Sequence, residues 1–217
     1  MSQHIRLAAL VLAIATAGIA PSPQAQVPTT SKGDVKIPDR INADSLRMQM
    51  RKLWVSNAIW MREYIVNTVE ADLSLDAATK RLTRNQEEIG RAFATFYGPE
   101  VGTKVTTLLK QHSSLVSQMI AAVRAGKRDS LRATDQRWTT NARELATVLS
   151  TANPDNWSLA STEPLLADAL NSTATMTRAR LEREWNIDVQ EFDTVLERSL
   201  VIADAISGGI IKQFPNK

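Results

Sequence analysis

The sequence contains no cysteine, which excludes disulfides, thiolate metal sites and cysteine nucleophiles whatever the redox state of the compartment. Histidine is nearly as scarce, with two residues in 217, His4 and His112. A formal net charge of +3 with 23% charged residues leaves no dense Lys/Arg stripe of the kind a phosphate backbone requires, so nucleic acid is not an expected partner. β-branched runs and alternating stretches are missing, and with them any convincing strand. Beyond the first 26 residues, no apolar stretch free of charge is long enough to span a bilayer, so no transmembrane span is expected in the mature chain.

What the sequence does contain begins with MSQHIRLAALVLAIATAGIAPSPQAQ, where Arg6 precedes an apolar run from Leu7 to Ala20 and then small residues and prolines. This is the pattern of a secretory signal peptide, expected over residues 1–25 with cleavage after Ala25 or Ala20. Its apolar run falls short of the roughly 20 residues a membrane span needs. Residues 26–41 mix Pro28, Gly33 and Pro38 without periodicity and are expected to be a disordered tether. From residue 42 to 215 the spacing is helical almost throughout, and 43% apolar side chains suffice for one sizeable core. The predicted fold is all-α, an antiparallel bundle of four to six helices.

The spacing places a first helix at about 44–70, capped by Asn42, with Leu46, Met50, Leu53, Trp60 and Tyr64 on one apolar line and Trp54, Ala58, Met61 and Ile65 on a second. A second helix, after an Asp76 cap, ends at Gly98, and Pro99 opens a third that reaches about Arg124. A fourth runs from after Asp129 to Asn153-Pro154. Thr162, Glu163 and Pro164 then mark another helix start, and the long segment that follows should break near Trp185 to Asp188, with Asp188 as cap. A shared W-x-x-N-A at Trp54–Ala58 and Trp138–Ala142 hints at two three-helix halves.

Each of the first four helices carries a polar residue on its apolar line: Asn57, Gln86, His112 and Asn141. Two readings stand side by side. Isolated polar core residues fix helix register by satisfying one another. Alternatively, the four converge on a ligand pocket between facing helices, the usual place for such a site in a bundle. Catalysis is not expected. His112 and Ser113 diverge as adjacent helical positions, and Glu87, Glu88, Glu182 and Glu184 fall off the seams that a di-iron site would use. Arg178, Arg180 and Arg183, interleaved with Glu182 and Glu184, read as a solvated helix face.

Leu53-Trp54 with Trp60 and Arg62, the runs RLTRNQEEIGRAFATFYG, LLKQHSSL and RWTTNARELATVLSTANPDNW, and the stretch IADAISGGIIKQFPNK together resemble a family of small exported bacterial helical-bundle proteins with no established activity. The resemblance covers most of the mature chain. It implies histidine at the positions held here by Asn57 and Ala169, alongside His112, so this chain keeps one imidazole of three. A single imidazole with amide neighbours is a poor transition-metal shell, and neither metal nor cofactor is expected. The expected function is that of a soluble, periplasmic or secreted, non-enzymatic binding or adaptor module of the cell envelope, its partner an envelope protein or a small molecule. The alternative is a small-ligand or metal-binding bundle that uses the interior polar seam around His112.

Overall fold

Asn42 starts the helical region as the sequence predicts, its side-chain oxygen accepting from the Ser45 N–H at 3.0 Å and so satisfying one of the donors that a helix N-terminus leaves open. The structure, a computed structural model, describes residues 42–215; the signal-peptide and tether readings lie outside the described residues. Six helices follow one another: α1 (Ala43–Glu70), α2 (Leu75–Tyr97), α3 (Pro99–Arg124), α4 (Arg128–Ala152), α5 (Leu159–Glu182) and α6 (Trp185–Gln213). No strand is present among the described residues.

Four helix ends differ from the sequence reading, each for a local reason. α2 begins at Leu75, because the Asp72 carboxylate takes the Ser74 N–H at 2.7 Å and turns the chain early. Asp76 then lies in the first turn, paired with Lys80 rather than capping. α4 starts at Arg128, immediately after the left-handed Gly126 (φ 63°) has turned the chain. α5 starts from Ser158, whose hydroxyl accepts from the Ser161 N–H. That leaves Pro164 inside the helix as its sixth residue, where its missing N–H removes one intrahelical bond. The α5–α6 break falls at Arg183 and Glu184: Arg183 is left-handed (φ 63°), and the Glu184 N–H returns to the Ala179 carbonyl at 2.9 Å. Asp188 caps nothing; it is drawn into an ion pair.

Each helix packs on its neighbours in sequence and α6 packs back on α1, so the six form a closed ring, while α1, α3 and α5 also touch one another inside it. Two glycines allow the tightest crossing. A Cβ on Gly102 would sit 2.5 Å from the Gly90 carbonyl oxygen, and one on Gly90 would sit 2.6 Å from that of Gly102. Backbone therefore meets backbone where α2 crosses α3.

The core is divided into two apolar halves. One holds Met50, Trp54, Ile89, Phe93, Leu149, Trp157 and Ile206; the other holds Ile65, Leu82, Val116, Met119, Trp138 and Met176. In α1 the better-buried line is Leu46, Met50, Trp54, Ala58, Met61 and Ile65, the set that sequence spacing splits between two rows. Leu53, Asn57, Trp60 and Tyr64 are half-buried on the flank that α2 covers.

Candidate functional site

Between the two apolar halves lies a single polar layer to which every helix contributes. Asn57 falls between Trp54 and Met61 on α1, Gln86 between Leu82 and Ile89 on α2, His112 between Leu109 and Leu115 on α3, and Asn141 between Trp138 and Leu145 on α4. Thr173 on α5 and Ser199 on α6, both buried, complete it. Sequence spacing points to the first four. It misses Thr173 and Ser199 because a helical hydroxyl can satisfy itself on its own helix, so nothing about such a residue looks out of place. Both do so here, on the Ala169 carbonyl at 3.0 Å and the Val195 carbonyl at 2.8 Å.

The amides clamp adjacent helices. Asn57 Nδ2 donates to Asn85 Oδ1 at 3.1 Å, and Asn85 Nδ2 donates back to the Leu53 carbonyl at 3.1 Å, joining α1 to α2. Gln86 Nε2 donates to the Leu109 carbonyl and to Ser113 Oγ, joining α2 to α3. Asn141 Nδ2 reaches the Leu108 carbonyl at 3.1 Å, joining α4 to α3. Three of these bonds end on backbone carbonyls, those of Leu53, Leu109 and Leu108, which makes a sliding error between helices costly. The four residues do not bond to one another: Asn85, absent from the sequence reading, is the partner of Asn57.

Three of the four share a cavity at the centre of the ring. Its volume is about 60 Å³, and its lining includes Trp54, Asn57, His112, Asn141 and Ala169. Gln86 does not line it. Two nitrogens of the lining residues, His112 Nδ1 and Trp54 Nε1, are buried without a hydrogen-bond partner, and both residues are only 6% exposed. The His112 ring meets Trp138 edge-on, with centroids 4.5 Å apart. Burial pushes its imidazole down to about 4, so it is neutral at pH 7. In the W-x-x-N-A echo both asparagines reach the cavity, and both tryptophans bury an indole N–H without a partner.

Asn57, His112 and Ala169, the three positions at which the resemblance implies histidine, all line this cavity. Among the described residues no group of three or more His, Asp or Glu side chains gathers as a metal shell. Titration with zinc or copper(II) is therefore expected to give a featureless isotherm. Stoichiometric binding tighter than about micromolar, lost in His112→Ala, would contradict this.

A nucleophile–base pair is not formed around His112, since Ser113 Oγ donates to the Leu109 carbonyl and accepts from Gln86. Elsewhere, Arg180 departs from the solvated face its sequence suggests: it is 19% exposed and donates to the buried Asp188 at 3.2 Å. Comparison of the chain with protein-family models, with curated proteins and with solved structures gives no match.

Proposed function

We propose that this protein is a non-enzymatic binding module of the bacterial cell envelope that takes up a small molecule in the cavity of its polar layer. The observation that carries this reading is one cavity of about 60 Å³ lined by Asn57, His112, Asn141, Thr173 and Ser199 and by no charged side chain. Two buried nitrogens on lining residues, His112 Nδ1 and Trp54 Nε1, also lack a partner, and each such group costs folding free energy of about 1–3 kcal/mol. The signal-like N-terminus and the resemblance to an exported family support the envelope as its location. Register-setting accounts for the amide nitrogens of Asn57, Gln86 and Asn141, but it leaves the cavity without a role.

Ala169 offers a clean test, because enlarging it fills the cavity without removing a hydrogen bond. A filtrate of small molecules from the periplasm is expected to raise the Tm of the wild-type protein by a degree or more, as any guest that binds only the folded state must. It should leave Ala169→Leu unmoved. Equal shifts in both proteins, or no shift in either, would overturn the proposal.

A further inference from the structure

The lining of the cavity also limits what it accepts, and this inference deepens the proposal above and rests on it. No Asp, Glu, Lys or Arg lines the cavity, so a charged guest would leave water without meeting a countercharge. His112 does not supply one, being neutral at pH 7. Volume sets the next limit. A single water needs roughly 10–15 Å³, so about 60 Å³ corresponds to a guest of about four to six non-hydrogen atoms.

The hydrogen-bonding groups set the last limit. Trp54 Nε1 is enclosed by protein and out of reach of a water-sized guest. Asn57 spends one of its two side-chain N–H groups on Asn85, and Asn141 spends its pair on the Leu108 carbonyl and Gln111 Oε1, so both asparagines keep their carbonyl oxygens as acceptors and Asn57 keeps one N–H. Thr173 and Ser199 have likewise spent their hydroxyl hydrogens on their own helices and retain lone pairs. The site therefore presents several acceptors and one spare amide N–H, with neutral His112 able to act as either. We infer that the polar layer binds a small uncharged molecule carrying one strong acceptor and at least two N–H or O–H donors, of which a primary amide is the simplest form.

Acetamide is the probe. In ¹H–¹⁵N spectra of the full chain, the Trp54 indole resonance, assigned with Trp54→Phe, is expected to move saturably as acetamide is added. So small a guest binds no tighter than tens of micromolar, given the ceiling on affinity per atom. Acetate and methylammonium at matched ionic strength should leave the resonance in place, as should xenon, which selects dry apolar cavities. Ala169→Leu, which fills the cavity, should weaken acetamide binding tenfold or more when followed by Tm. Three outcomes would overturn the inference: xenon binding in place of acetamide, charged probes binding as well as acetamide, or no probe binding because ordered water alone fills the cavity. Acetamide binding with no response to the periplasmic filtrate would retain this specificity and remove the proposed function, so the two failures are distinguishable.

Discussion

Asp188→Ala is expected to lower the unfolding free energy by about 3–5 kcal/mol, the cost typical of breaking a buried ion pair from one side. The Asp188 side chain is 2% exposed and takes Arg62 through two bonds of 2.8 and 2.9 Å, with Arg180 at 3.2 Å. Arg180 continues to Glu70 at 3.2 Å. Each guanidinium also covers an aromatic ring, Arg62 over Phe192 at 4.6 Å and Arg180 over Trp185 at 4.9 Å. Removing the one carboxylate leaves two cations held close together and largely dry. Replacing Asp188, Arg62 and Arg180 together by apolar residues removes the uncompensated charge as well, and should cost less than the single substitution. Urea unfolding at constant slope measures both. A loss below about 1 kcal/mol for Asp188→Ala would mean that the arginines regain water freely.

Acidification is expected to weaken the bundle through His112 before its carboxylates respond. In the unfolded chain an imidazole takes up its proton near 6.5, whereas burial holds that of His112 down to about 4. Between these values the unfolded state binds more protons, so stability falls as pH falls. The loss begins near pH 6.5, is complete near pH 4, and amounts to about 3 kcal/mol. Asp204, Glu87 and Glu100 are each held below the ordinary carboxylate range, first by hydrogen bonds from Arg51, Lys110 and Lys104. Their contributions are lost as pH falls from the ordinary carboxylate range through those lowered values, from the bottom of the imidazole window downward. Unfolding free energies measured at pH 7, 5.5 and 4.5 should thus decline in the wild type and run nearly flat in His112→Gln. Parallel declines in the two proteins would assign the effect to other groups.

Much of the bundle was legible because helix spacing and end signals are local. Asn42 and Gly98-Pro99 mark boundaries that the structure keeps. The α5–α6 break carries no glycine or proline, and it depends on Arg183 accepting a left-handed backbone so that Asp188 can meet Arg62 and Arg180, an event settled across three helices. The same dependence hid Arg180, whose alternation with glutamates in sequence looks solvated. In the polar layer, Asn57, His112 and Asn141 stood out as polar groups on apolar lines. Gln86 did too, yet α2 turns it toward Ser113 and away from the cavity. Periodicity says that a side chain faces inward, and neighbouring helices decide which interior space it meets.

The closed ring has a consequence for how the chain reaches this structure. Five of its six principal helix contacts join elements consecutive in sequence, and only α1 with α6 spans the whole domain, with Arg51 and Asp204 paired at 2.7 Å across it. Loop-closure entropy is therefore concentrated in one docking event. Helices that alternate in direction also bring the start of α1 and the end of α6 to the same end of the ring. The order of helices along the chain is one of six cuts through the same circle. A circular permutant opened at Gly126 and joined from Pro215 to Asn42 would keep every neighbour and move the one long-range closure to the α3–α4 contact.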